Sequence, residues 1–187
     1  MQILGIIPSR FASTRFPGKP LVDIEGKTMI QRVYLQAKKA TLLSKIVVAT
    51  DDLRIYENVL SFGGQVMMTN DDHQSGTDRC AEVARQFQDM EAIINIQGDE
   101  PFIDPSQIDQ VALQLKQNSD LNLATLAKKI TQSAQIFSPN IVKVVFSKAK
   151  RALYFSRNPL PFLRGVPSED WLASGNFYKH IGIYGYR

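Results

Sequence analysis

Short apolar runs alternate along most of the chain with segments in which apolar residues recur every three or four positions. The runs are typical of buried strands, and the spaced segments are typical of helices. The predicted strands are ILGII (3–7), KIVVAT (45–50), QVMMT (65–69), AIINIQ (92–97) and LNLATLA (121–127). The predicted helices are MIQRVYLQAKKA (29–40), RIYENVLSFGG (54–64), TDRCAEVARQF (77–87) and DPSQIDQVALQLKQ (104–117).

The order of these elements predicts an α/β fold. Strands that alternate with helices form a parallel sheet covered on both faces, and these strands lack the polar alternation of a sheet with one wet face. We therefore predict a doubly wound, mostly parallel sheet. From residue 141 onward the pattern changes to strand-like pieces and a Pro-rich segment, PLPFLRG. We expect one domain, 1–187, in which 1–130 form the α/β layer and 131–187 form a small lid or oligomer contact.

Composition narrows the class of protein. The chain has 187 residues, of which 44% are hydrophobic and 21% charged, as in ordinary globular proteins. No apolar run approaches the roughly 20 residues of a membrane span, so we expect a cytoplasmic protein without membrane insertion. One cysteine and two histidines are too few for a structural zinc site, which leaves a carboxylate site for a hard metal open. The net charge of +4 suits a polyanionic partner, whether nucleic acid or a nucleoside triphosphate.

The loop after the first predicted strand, SRFASTRFPGK, carries three cations: Arg10, Arg15 and Lys19. It matches neither of the two common glycine-rich phosphate motifs. Ligands of open α/β sheets bind at the carboxyl ends of the strands, where this loop is expected. Three separated cations, with Ser13 and Thr14 as neutral donors, could surround a triphosphate. The alternative is a solvated surface loop. We favour ligand binding, because the loop follows a buried strand.

A second polar cluster, GDEP, follows the strand AIINIQ. Gly98 allows a sharp turn and a close approach, and Asp99 is placed to hold Mg²⁺, which one or two carboxylates bind together with substrate phosphates. The alternative is an Asp/Glu turn that caps the next segment. For Asp51 and Asp52, after the second strand, a helix cap is the better interpretation than a second metal site. We interpret Cys80 as a small buried hydrophobic residue.

Five motifs together resemble the 3-deoxy-manno-octulosonate (Kdo) cytidylyltransferase family. They are PSRFASTRFPGKPL, VVATDD, NDDHQSGTDR, NIQGDEPFI, and YFSRNPLPF with HIGIYGYR. The similarity runs from Ile3 to Arg187. It implies a sugar nucleotidyltransferase fold, a homodimer, and transfer of CMP from CTP to Kdo with Mg²⁺ and release of pyrophosphate, for lipopolysaccharide synthesis. By the resemblance, 1–130 bind the nucleotide and 131–187 contribute to acceptor-sugar binding and the dimer contact.

The resemblance also implies roles for individual residues. Arg10, Lys19 and Asp99 would be catalytic, with Asp99 as the metal ligand. No protein nucleophile is needed, because the sugar hydroxyl attacks the α-phosphorus directly and the cations neutralise the developing charge. The nucleotide would be bound by Arg10, Ser13, Arg15, Lys19, Ser75, Gly76, Thr77 and Asp99. The acceptor sugar would be bound by Gln97, Arg157, His180 and Tyr184.

One departure from the family and three rival interpretations complete the sequence-based picture. Family members continue past Arg187 with a second acidic metal ligand, so we expect a C-terminally incomplete chain that binds nucleotide better than it turns over. The acceptor could be another acidic sugar, such as an amino-substituted Kdo or an acylneuraminate. A nucleic-acid-binding module is the second alternative. It is not favoured, since the chain has no recognisable motif for it and the cations cluster at strand ends. A regulatory nucleotide-binding protein without catalysis is the third alternative.

Overall fold

The computed structural model describes residues 1–12 and 16–187. Its strands are β1 (Ile3–Ser9), β2 (Asp23–Ile24), β3 (Lys27–Thr28), β4 (Lys45–Thr50), β5 (Val66–Met68), β6 (Ala92–Asn95), β7 (Leu123–Lys129), β8 (Lys143–Phe146), β9 (Ala152–Ser156) and β10 (Tyr178–Tyr186). Its α-helices are α1 (Met29–Ala37), α2 (Leu53–Ser61), α3 (Gly76–Ala84), α4 (Pro105–Gln117), α5 (Ser133–Phe137) and α6 (Trp171–Ser174). These elements form two compact units, Met1–Ala124 with Ile183–Arg187, and Thr125–Gly182. The division of a single domain at residue 130 stays a prediction.

The sheet of the first unit has the strand order β5-β4-β1-β6, and these strands are parallel. The end of the chain, Tyr184–Tyr186, pairs antiparallel with β6. Ser9 of β1 lies opposite Thr50 of β4, and Ile6 of β1 lies opposite Asn95 of β6. The carboxyl ends of the three strands therefore share one edge of the sheet, and the predicted mostly parallel sheet is confirmed.

Helices cover both faces of this sheet. Leu4 and Ile6 of β1 and Ile93 of β6 pack with Cys80 of α3 in one apolar cluster. On the opposite face, a side chain added at Gly185 would meet Val111 and Leu115 of α4 and Ile94 of β6. Because neighbouring strand residues such as Ile93 and Ile94 point to opposite faces, α3 and α4 lie on opposite sides of the sheet. The doubly wound α/β layer is confirmed.

Three of these helices begin at a polar residue whose side chain caps the first turn. The Asp52 carboxylate accepts a hydrogen bond of 3.0 Å from the Arg54 amide at the start of α2. The Asp104 carboxylate accepts one of 2.9 Å from the Ser106 amide in the first turn of α4. Ser75 caps α3 in the same way. Each cap satisfies a backbone amide that has no partner within its helix, and the predicted capping role of Asp52 is confirmed.

The second unit has its own apolar cluster of Ile130, Ile136, Trp171 and Phe177. The rings of Trp171 and Phe177 are stacked with centroids 5.9 Å apart. Strands β8 and β9 pair antiparallel, and Lys179 of β10 lies opposite Lys143 of β8. In the described part of the chain, no helix has the length and apolar character needed to cross a membrane.

Candidate functional site

A cavity of about 510 Å³ lies in the first unit where β1 and β6 end and α3 begins. Its walls come from three segments that are far apart in sequence. The lining residues are Pro8, Ser9, Arg10, Phe16, Lys19, Pro20, His73, Gln74, Ser75, Gly76, Arg79, Gln97, Gly98 and Asp99. The cavity thus occupies the edge of the sheet at which ligands of α/β proteins bind.

Gly98 lets the end of β6 approach the end of β1. A Cβ atom at this position would lie 2.7 Å from the carbonyl oxygen of Pro8, closer than such atoms approach one another. The Pro8 carbonyl is a backbone group, so no flexible side chain could move aside to relieve this contact. The glycine therefore sets the distance between the basic loop after β1 and the carboxylate of Asp99.

An ion pair joins these two segments inside the cavity. The Lys19 ammonium donates a hydrogen bond of 2.6 Å to the Asp99 carboxylate. The two side chains are 36% and 52% exposed, and ion pairs that open to water contribute little to stability. Gly18, in a left-handed conformation with φ of 71°, precedes Lys19, and its amide donates to the Phe11 carbonyl over 3.0 Å. The loop is closed on itself at the point from which Lys19 extends.

Arg10 lines the same cavity and is exposed. Among residues 1–12 and 16–187, no carboxylate forms an ion pair with its guanidinium. Its charge is therefore not neutralised by this part of the chain. The predicted phosphate contacts of Ser13 and Arg15, and the neighbouring Thr14, lie outside the described residues.

The first turn of α3 forms another wall. The Ser75 hydroxyl accepts a hydrogen bond of 3.2 Å from the Asp78 amide and donates one of 2.6 Å to the Asp78 carboxylate. Ser75 and Gly76 line the cavity, whereas Thr77 is exposed in the same turn outside the lining residues. The start of a helix presents amides that have no partner within it, which suits an anionic or carbonyl-bearing ligand.

Arg79 is a cavity residue that sequence reasoning missed. Only 3% of it is exposed, and its guanidinium donates to the Asp51 carboxylate over 2.6 Å. It also donates to the Thr69 hydroxyl and to the Asn70 carbonyl. These bonds tie α3 to the ends of β4 and β5. Asp51 is therefore the partner of a buried arginine, and the helix cap that we expected for Asp51 and Asp52 is provided by Asp52.

His73 also lines the cavity. Its ring nitrogen Nε2 is hydrogen-bonded to the Glu82 carboxylate. The same carboxylate accepts a hydrogen bond of 3.1 Å from the Asn70 amide. The bond to His73 is the main cause that lowers the pKa of Glu82. The spacing of nine residues between the two side chains gave no signal in the sequence.

The acidic residues after β6 offer an incomplete metal site. Asp99 lines the cavity, and burial, together with the Asp99 charge, raises the pKa of the adjacent Glu100. Within residues 1–12 and 16–187, no three His, Cys, Asp or Glu side chains are grouped closely enough to hold a metal ion by themselves. A single carboxylate fits Mg²⁺, which is usually held by one or two carboxylates together with phosphates and waters.

The residues predicted to bind the acceptor sugar fall in both units. In the first unit, Gln97 lines the cavity and its amide donates to the Asn95 side chain over 3.4 Å. Tyr184 lies opposite Asn95 in the pairing of β10 with β6. Burial is the larger cause that raises the Tyr184 pKa, and the neighbouring Tyr186 adds to it.

Arg157 and His180 belong to the second unit. The Arg157 guanidinium donates to the Pro139 carbonyl over 2.9 Å. A hydrogen bond of 2.8 Å joins His180 to the Thr125 hydroxyl, and burial lowers the His180 pKa.

The structure brings six of the predicted site residues to one cavity: Arg10, Lys19, Ser75, Gly76, Gln97 and Asp99. The roles proposed for all of the predicted site residues stay predictions.

Comparison with protein families and curated proteins gives concordant results. A family model described as cytidylyltransferase matches residues 4–187. A 3-deoxy-manno-octulosonate cytidylyltransferase of Parabacteroides distasonis is 50% identical over 192 residues, an alignment that covers 100% of this chain and 75% of that protein. The protein of the same name from Geobacter sulfurreducens is also 50% identical, with 100% of this chain and 76% of that protein covered.

Solved structures agree with these relatives. A CMP:2-keto-3-deoxy-manno-octonic acid synthetase complexed with CTP superposes with a TM-score of 0.92 and 41% identity, over 100% of this chain and 74% of that chain. A cytidylyltransferase from Leptospira borgpetersenii has a TM-score of 0.60 and 21% identity, over 74% of this chain and 57% of that chain. The second likeness is one of fold alone.

Proposed function

The chain belongs to the 3-deoxy-manno-octulosonate cytidylyltransferase family, and on that premise we propose that it transfers CMP from CTP to Kdo, giving CMP-Kdo and pyrophosphate. One observation carries the proposal for this chain's own residues. Lys19 and Asp99, 80 positions apart, form an ion pair in a cavity that is also lined by Arg10. A phosphate-binding cation and a metal-binding carboxylate are the two groups that this chemistry needs side by side.

The reaction forms a bond between the anomeric oxygen of Kdo and the α-phosphorus of CTP. The bond from that phosphorus to the oxygen bridging to the β-phosphorus breaks, pyrophosphate leaves with the bonding electrons, and the sugar hydroxyl releases its proton to solvent. Arg10 and Lys19 hold the β- and γ-phosphates and stabilise the negative charge that grows on the leaving group. The protein forms no covalent bond to either substrate, and its contribution is position and charge.

Asp99 would hold Mg²⁺ together with the substrate phosphates. When bound, the ion supplies further neutralisation of phosphate charge and lowers the pKa of a coordinated hydroxyl. The Lys19 ammonium is bonded to Oδ2 of Asp99, and with Mg²⁺ held by this carboxylate it would exchange that bond for one to the triphosphate. Both groups are exposed enough to make this exchange at small cost.

We assign recognition of the other groups by their chemistry. The start of α3, with Ser75 and Gly76, offers hydrogen bonds that would distinguish cytosine from uracil, in which the donor and acceptor pattern is reversed. Gln97 lines the cavity together with Asp99, which supports our proposal that its amide binds acceptor hydroxyl groups. Arg157, His180 and Tyr184 remain proposed contacts of the acidic sugar, for which a guanidinium is the best carboxylate partner. The homodimer and the cytoplasmic location also remain proposals.

Release of pyrophosphate tests the proposed function. With Kdo and Mg²⁺, we expect release from CTP and at least about 100-fold less from UTP, because a reversed hydrogen-bond pattern leaves buried polar groups unpaired. Asp99→Asn should abolish turnover and leave the fold intact, as checked by circular dichroism. The matched control is Asp89→Asn, which removes the same charge from an exposed turn.

Three outcomes would contradict parts of the proposal. Equal release from UTP would remove cytidine specificity, and full activity of Asp99→Asn would remove Asp99 from the mechanism. A competition between acceptors tests the sugar. Preferred turnover of an acylneuraminate or an amino-substituted Kdo would change the proposed acceptor but keep the proposed use of CTP.

Metal removal with EDTA should stop pyrophosphate release, and added Mg²⁺ should restore it.

A further inference from the structure

The Phe11 ring contacts two groups at the base of the basic loop. The Arg54 guanidinium carbon lies 3.3 Å from the centroid of the ring. The backbone of Gly18 lies so close that a Cβ there would be 3.0 Å from the Cζ atom of the ring. The Gly18 amide also donates to the Phe11 carbonyl over 3.0 Å. Phe11 and Gly18 are therefore joined both by a ring contact and by a backbone hydrogen bond.

Arg54 is itself fixed from the start of α2. Its Nε and one terminal nitrogen donate to the two Asp52 carboxylate oxygens over 2.9 and 2.6 Å. A bidentate pair of this kind holds the plane of the guanidinium, which is the surface that stacks on an aromatic ring. Asp52 is in turn fixed as the N-cap of α2. A continuous series of contacts thus leads from α2 through Arg54 and Phe11 to Gly18, the residue before Lys19.

We propose that Arg54 is a positioning residue for triphosphate binding, which acts through the Phe11 ring to hold Lys19 at the cavity. The inference rests on the proposed function, since it assigns to Lys19 a contact with the β- or γ-phosphate. Arg54 is not among the described residues that line the cavity. Its charge is neutralised by Asp52, so its effect is one of geometry and not of direct attraction to phosphate.

The direct alternative is that Arg54 is a further phosphate ligand, because more than half of its side chain is exposed. The two possibilities differ in what Phe11 does. A direct ligand would work without the ring, whereas a positioning residue needs it. They also differ in the part of the nucleotide that is affected, because CMP lacks the two phosphates to which the loop is assigned.

The experiment compares CTP and CMP affinity by calorimetry, with Mg²⁺, in the wild type, Arg54→Met, Phe11→Leu and the double variant. We expect each single variant to raise the dissociation constant of CTP about fivefold, equivalent to about 1 kcal/mol. The double variant should also lose about fivefold, since both changes break one stack. The dissociation constant of CMP should not change. Phe11→Tyr, which keeps the ring, should restore CTP affinity.

Arg85→Met is the matched control, because it removes a positive charge from an exposed position at the other end of α3. It should leave CTP affinity unchanged, which separates positioning from the general attraction of a basic protein for an anion. Multiplied losses in the double variant, an equal loss for CMP, or a Phe11→Leu variant with wild-type affinity would overturn the role of Arg54. A wild-type chain that binds neither nucleotide would overturn the proposed function itself, and the inference with it.

Discussion

At the scale of single residues, Gly98 is a position where a small change should have a large effect. A Cβ at residue 98 would lie 2.7 Å from the Pro8 carbonyl oxygen, so Gly98→Ala forces the ends of β1 and β6 apart. We expect the substitution to lower the free energy of unfolding by about 2 kcal/mol, the usual cost of overpacking. Urea denaturation of the two proteins measures the difference.

Gly76→Ala is the comparison that isolates the backbone contact. Its Cβ would lie 3.2 Å from a side-chain carbon of the same Pro8, and alanine is favoured over glycine in a helix. We expect Gly76→Ala to change the free energy of unfolding by less than about 1 kcal/mol. Equal losses for the two variants would show that the Pro8 carbonyl contact is not what makes Gly98 necessary.

The charged residues that line the cavity could be predicted from the sequence better than the residues that hold them in place. Arg10, Lys19 and Asp99 belong to the loops that follow two apolar runs, and position after a strand indicates a site in this class of sheet. Arg79 lies inside a helical pattern, where an arginine is usually solvated, and only the fold shows that it is buried against Asp51. Partners that are distant in sequence, such as Arg54 and Phe11, leave no local pattern to read.

At the scale of elements, the reactivity of the Cys80 thiol measures how well helix α3 stays packed on the sheet. Cys80 lies on its buried face, and burial raises the pKa of the thiol to about 12. The thiolate is the reactive form, so the native thiol is both covered and protonated at pH 8. We expect iodoacetamide to label the native protein at least about 100-fold more slowly than the urea-unfolded chain.

The same labelling tests the ties between α3 and the strand ends. Arg79→Met removes the hydrogen bonds to Asp51 and Thr69, and leaves the Asp51 carboxylate without its partner. Labelling of Cys80 should therefore become faster in Arg79→Met and stay unchanged in Arg85→Met. If the native wild-type thiol is labelled as fast as the unfolded chain, α3 is not packed as described.

Elements with a strong apolar period were predicted closely, and short ones were not. The helices α1 to α4 and strands β1, β4, β5 and β6 coincide with the predicted segments to within a few residues. The β2–β3 hairpin and the short helices α5 and α6 were missed, because two to five residues contain too little of either period to recognise. Their conformation is set by contacts, such as the packing of Trp171 in α6 against Phe177.

At the scale of the whole molecule, we expect one buried lysine to change how the free energy of unfolding depends on pH. Lys143 has no exposed surface, and its ammonium donates to the carbonyl groups of Ser138, Ile141 and Arg157. Burial, with a smaller contribution from the Arg157 charge, lowers its pKa below the ordinary 10.5. In the folded chain Lys143 therefore loses its proton at a lower pH than in the unfolded chain.

The sign of the effect follows from proton counting. Between the lowered pKa and 10.5 the unfolded state binds more protons than the folded state, so the free energy of unfolding rises with pH. Urea denaturation of the wild type and of Lys143→Met from pH 7 upward should show a difference in stability that grows in favour of the wild type. Tyr184, whose raised pKa acts in the opposite direction, is present in both proteins and cancels. A difference that shrinks with pH would mean that the three carbonyl groups stabilise the ammonium more than burial opposes it, and a constant difference would mean that the two effects cancel.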